Sequence, residues 1–135
     1  MKKFRRFVIF GLAIFSSTAA SAAPKAVHAD FNGDGRPDKA WLLQHPDYVE
    51  VLVQPGGSSK TQRLLFAVNA GVYGGLCRLP ALLRAEPHDC ETDTGPLPGC
   101  KATQDSNDLR LTGGDCDAIH MYWDHRDGKM AWWSR

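Results

Sequence analysis

The mature-looking part of the chain alternates more often than it coils. Tyr48–Gln54 places Val49, Val51 and Val53 on one face and Tyr48, Glu50 and Gln54 on the other, the period-two pattern of a half-buried strand. Lys39–Gln44 is short and apolar, and Gln62–Val68 carries Leu64, Phe66 and Val68 at alternate positions. His45-Pro46-Asp47 and Gly56-Gly57-Ser58-Ser59 are turn sequences between these runs, so residues 39–68 are predicted to form a three-stranded antiparallel meander. Asn69–Gly75 is glycine-rich and reads as irregular, and Pro80–Arg84 is predicted to open a short helix, with proline in its first turn. His88–Asn107 holds Pro96, Pro98 and two cysteines and has no clear period. Leu109 and Leu111 mark a brief strand, and Asp117–Trp123 with Lys129–Ser134 make a second hairpin across residues 124–128. The expected fold is mainly β: a small antiparallel meander plus a C-terminal hairpin, stapled by disulfides, with at most one short helix and no internal repeat.

The first 22 residues follow a different rule. Met1–Arg6 is basic, Phe7–Phe15 is an unbroken apolar run, and small residues follow through Ala23. A basic start, a short apolar core and an Ala-Ser-Ala ending at Ala22 are the marks of a cleaved export signal, and the apolar run is too short to span a bilayer. The domain expected after cleavage is residues 23–135, destined for the periplasm or the medium of a bacterial cell. Four of the sixteen basic residues lie in the signal; the remaining twelve stand against fifteen acids, so the +1 of the 135-residue chain becomes −3 in the domain. That balance lacks the basic clustering that nucleic acid or an anionic membrane demands. The expected partner is a protein of the cell envelope, with no membrane insertion after cleavage.

Export bears on the four cysteines, Cys77, Cys90, Cys100 and Cys116. An even number in an oxidising compartment points to two disulfides. Three pairings are open, and the sequential one, Cys77–Cys90 with Cys100–Cys116, closes two loops of moderate length. Intervening stretches of 12, 9 and 15 residues contain no C-x-x-C, which argues against a zinc site. A reactive thiol at Cys90, suggested by the neighbouring His88 and Asp89, competes with the same oxidation.

Residues 30–38, Asp-Phe-Asn-Gly-Asp-Gly-Arg-Pro-Asp, carry the densest chemistry. Oxygen side chains fall at the first, third, fifth and ninth positions, with glycine at the sixth. Asp30, Asn32 and Asp34 would supply side-chain oxygens, Arg36 its carbonyl, and Asp38 a carboxylate directly or through water. Such a set of hard oxygens suits calcium. The twelfth position, where an EF-hand has a bidentate glutamate, is Trp41, so the loop is EF-like without being an EF-hand. Its flanks read as coil before and strand after.

Asp30–Leu43 resembles the calcium loop and following strand of FG-GAP/VCBS repeats, the units of integrin-type β-propellers and of many bacterial exported proteins. The resemblance implies a calcium site at Asp30, Asn32, Asp34, Arg36 and Asp38. It covers about fourteen residues and occurs once, whereas a propeller needs at least four blades.

On the C-terminal hairpin, Ile119, Met121, Trp123, Met130 and Trp132 share one face, and His120, Tyr122 and Trp133 share the other. The second set is a candidate binding surface, unless the disulfide loop covers it. No G-x-S-x-G, H-E-x-x-H, phosphate-loop or dinucleotide fingerprint is present. The sequence therefore points to a non-catalytic, calcium-binding envelope protein. Two alternatives are an inhibitor or immunity protein that blocks a toxin or hydrolase, and a small hydrolase using His120 with Asp117.

Overall fold

The computed structural model describes residues 23–135; the export signal read at 1–22 lies outside them. Ten strands follow in order: β1 Val27–Ala29, β2 Asp38–Gln44, β3 Tyr48–Gln54, β4 Gln62–Ala67, β5 Leu82–Pro87, β6 Glu91–Thr92, β7 Gly95–Pro96, β8 Asn107–Thr112, β9 Ile119–Asp124 and β10 Lys129–Trp133. No helix occurs among the described residues. Two four-stranded sheets form, in the orders β1-β2-β3-β4 and β10-β9-β8-β5, and β6 pairs with β7 in a small hairpin of its own. Every ladder is antiparallel, and neither sheet closes into a barrel or a propeller blade ring.

The alternation read from the sequence decides which faces meet. Val49, Val51 and Val53 of β3, with Leu64 and Phe66 of β4, point toward Leu109 and Leu111 of β8, Ile119 and Met121 of β9 and Met130 of β10. All are buried, and together they form one core between the two sheets. Phe31 and Leu76, both from connections and both almost fully enclosed, fill its ends. Burying an apolar side chain of this size contributes about 1.5–3 kcal/mol, so the core is the main source of stability.

Side chains close the two seams where sheet edges meet. At one, Gln62 Nε2 donates to the Met130 carbonyl at 2.9 Å while its Oε1 accepts from the Met130 N–H at 2.7 Å. At the other, Gln44 Oε1 accepts from the Ala81 N–H at 2.7 Å.

Three expectations need correction. Residues 80–84 do not open a helix: Leu82–Pro87 is a strand paired with β8, and Leu83, opposite Leu111, packs against the core. The segment before the calcium-type loop is not coil, since Val27–Ala29 pairs with the start of β2. The disulfides are nested rather than sequential: Cys77–Cys116 encloses Cys90–Cys100. Cys77 is brought to the end of the second sheet when its N–H and that of Arg78 bond to the Gly113 carbonyl, which leaves Cys116 beside it.

Candidate functional site

The 30–38 loop is curled by its own side chains. Asp30 Oδ1 and Oδ2 accept from the Gly33 and Gly35 N–H groups at 2.7 and 2.8 Å. Asn32 Oδ1 accepts from the Asp34 N–H, and Asp34 Oδ1 from the Arg36 N–H. Gly33 and Gly35 adopt φ of 76° and 80°, a left-handed conformation that favours glycine. Asp38 plays a separate part. Its carboxylate, 1% exposed, accepts from Phe31 and Asn32 through Oδ2 and from Gly56 through Oδ1 at 2.7 Å. It thereby clasps both ends of the loop and ties them to the β3–β4 turn. The hard oxygens of Asp30, Asn32, Asp34 and the Arg36 carbonyl suit a calcium ion chemically, and the loop that carries them is already closed by these bonds.

The outer face of the second sheet collects the residues of the proposed recognition surface, with one exception. His120 Nδ1 lies 2.6 Å from Glu86 Oε1, and its ring stacks on Trp133 at 4.4 Å between centroids. Asp117, named in the hydrolase reading, is not its hydrogen-bond partner. Tyr122 belongs to no open surface: it is 4% exposed, and its hydroxyl donates to the Pro98 carbonyl at 2.9 Å. The disulfide loop lies over it, further pinned by the His125 N–H on the Gly99 carbonyl. Burial raises the Tyr122 phenol above its ordinary value. Trp132, expected with the core residues, is 39% exposed and packs edge-on to Phe66 and beside Tyr73.

Two residues that sequence reading missed complete that face. Arg84 of β5 is directly opposite Arg110 of β8, Arg110 is opposite His120 of β9, and His120 is opposite Trp133 of β10. Cross-strand partners share a face, so Arg84, Arg110, His120 and Trp133 form one transverse row. Both arginines are exposed, and among the described residues neither has a carboxylate within ion-pair distance. Only strand register places them together, and register cannot be read from residues 26 positions apart.

A third cluster surrounds the smaller disulfide. His88 Nδ1 lies 2.7 Å from Asp108 Oδ1, and its Nε2 lies 2.7 Å from the Lys101 carbonyl. Nε2 is also 3.4 Å from Cys90 Sγ and 3.6 Å from Cys100 Sγ. Burial opposes the imidazolium, but the Asp108 and Lys101 contacts and the nearby Asp89 outweigh it and raise the His88 pKa. Burial likewise raises Asp108, partly offset by His88 and by the Asp89 N–H. The donor atoms of His88, Cys90 and Cys100 lie within 4.8 Å of one another. With both sulfurs joined in a disulfide they are not thiolates, and thiolate is the form that ligates a metal.

No family model, curated protein or solved structure matches the chain.

Proposed function

We propose that the chain is a non-catalytic exported binding module, held in shape by two disulfides and a calcium loop, that recognises an acidic partner through the Arg84–Arg110–His120–Trp133 row. The observation that carries this reading is the pair Arg84 and Arg110. Like charges directly opposite each other destabilise a sheet. Here they sit exposed, without a carboxylate partner among the described residues, next to a stacked histidine and tryptophan. A carboxylate-bearing surface would relieve that repulsion and accept hydrogen bonds from both guanidinium groups, whose planar forks suit carboxylates. An acidic face on an envelope hydrolase or toxin belongs to this class of partner, which keeps the inhibitor reading within it.

Export to the periplasm or medium is supported by the basic-then-apolar head of the sequence and by the two disulfides. Calcium at Asp30, Asn32, Asp34 and the Arg36 carbonyl would supply a cross-link over the β1–β2 connection. Asp38 holds that connection to the β3–β4 turn from beneath.

Isothermal titration with an oligo-glutamate peptide at low and high salt tests the acidic-partner reading. Binding that weakens with salt and disappears in an R84S/R110S variant whose melting temperature is not lowered is expected. Equal binding by that variant would overturn it.

A further inference from the structure

We infer that the Cys90–Cys100 disulfide is an exchange site for thiols, with His88 as the acid that receives the departing sulfur, while Cys77–Cys116 is a structural cross-link. The inference rests on the placement of one ring. His88 Nε2 lies within 3.6 Å of both sulfurs of a single disulfide, and among the described residues the sulfurs contacted by a histidine nitrogen are these two.

The proton on that ring is fixed by its partners. The Lys101 carbonyl can only accept, so the 2.7 Å contact requires a hydrogen on Nε2. On the far side, Nδ1 meets the carboxyl of Asp108, which is 5% exposed and also accepts from the Asp89 N–H. Whichever of that pair carries the second proton, the atom facing the sulfurs is an N–H. Asp108 is thus a positioning residue that fixes the ring, and His88 touches the reacting atoms.

An external thiolate attacks one sulfur of the pair. A new sulfur–sulfur bond forms to the incoming thiol, the Cys90–Cys100 bond breaks, and its electron pair leaves on the other sulfur. That sulfur emerges as a thiolate beside the Nε2–H, which turns from the Lys101 carbonyl to donate a hydrogen bond to it or passes it the proton. After such a transfer the second proton of the His88–Asp108 pair rests on Nδ1, so the ring stays neutral. The step exchanges one disulfide for another, so no net oxidant is required, and a second thiol completes reduction to two cysteine thiols. A stabilised leaving thiolate departs faster. The hairpin β6–β7 and its flanks form the closed loop between these cysteines, so opening the bond removes one tether of the cover over Tyr122, which keeps its His125–Gly99 bond, and leaves the core intact.

The test is a time course of the full chain in reduced glutathione, quenched by alkylation and read cysteine by cysteine by mass spectrometry. A glutathione adduct at Cys90 or Cys100 is expected first, with Cys77–Cys116 opening about tenfold more slowly. In H88Q, the Cys90–Cys100 bond is expected to open about tenfold more slowly than in the wild type. The two bonds opening together in the wild type would overturn the inference. So would an unchanged or faster rate in H88Q. The wild-type comparison needs no variant and stands if H88Q does not fold.

Discussion

Gln62 bonds to Met130 as a neighbouring strand would, giving its amide N–H to the Met130 carbonyl and taking the Met130 N–H on its amide oxygen. Between β4 and β10 there is no backbone ladder, so one side chain substitutes for one rung across the seam.

Removing that rung leaves the Met130 N–H and carbonyl on the edge strand β10 unpaired. Q62A is expected to lower stability by about 1–3 kcal/mol. Chemical denaturation checks this, and an unchanged midpoint would show that water replaces the amide without loss.

The calcium proposed for the loop and the Asp38 clasp are expected to contribute separately. The melting temperature is expected to rise in millimolar calcium and fall in chelator, and D30A should erase the difference; affinity for a lone loop of this kind is about 10⁻⁴–10⁻³ M. D38A is expected to cost about 2–4 kcal/mol even in chelator, because it strands the N–H groups of Phe31, Asn32 and Gly56. Superimposable melts with and without calcium would remove the metal from the account.

His88 makes stability pH-dependent. Its pKa is raised in the folded state, so its contribution is whole below about 6.5 and is lost as pH climbs through the folded value. Asp108, also raised, slopes the same way on the acid side. Asp124, lowered chiefly by its bond to Arg126, has the opposite slope and weakens the fold only in acid. Melting temperatures measured upward from pH 6.5 should decline in the wild type and flatten in H88Q.

The disulfide loop is seated by a glycine. Gly99 adopts φ of 71°, and a Cβ there would clash with the Asp124 carboxylate. G99A is expected to cost about 1–3 kcal/mol and to lift the loop, restoring the Tyr122 phenol toward its ordinary titration. Absorbance titration of the tyrosines reads that directly.

The nested disulfides should differ in weight. Cys77–Cys116 spans 39 residues and Cys90–Cys100 spans 10. In the loop-entropy picture these contribute about 4 and about 3 kcal/mol. A C77S/C116S variant should therefore melt lower than C90S/C100S.

Strands with clean alternation are legible: β3, β4, β9 and β10 lie where the period-two pattern puts them, and their inward residues are the core except the half-buried Trp123 and the exposed Trp132. Residues 80–84 misled because an apolar run after proline fits a helix start as well as a strand. Its partner β8 begins more than twenty residues later, and only that pairing decides. The three residues of β1 are too few to show a period. Cysteine pairing depends on which strand ends meet, which is a property of the whole sandwich. The same holds for the His88–Asp108 contact and the Arg84–Arg110 row. For Tyr122, alternation sets its face, and of the two readings open for that residue the structure takes the one in which the disulfide loop covers it.

Each large sheet is drawn from one half of the chain: residues 27–67 make the first, and residues 82–133 make the second. A chain synthesised from its N-terminus can therefore complete every hydrogen bond of the first sheet before β8, β9 and β10 exist. At that moment Val49, Val51, Val53, Leu64 and Phe66 form an uncovered apolar wall with an open edge at β4. The half-made protein, rather than the finished one, is the species most prone to self-association, and Gln62 has nothing yet to cap.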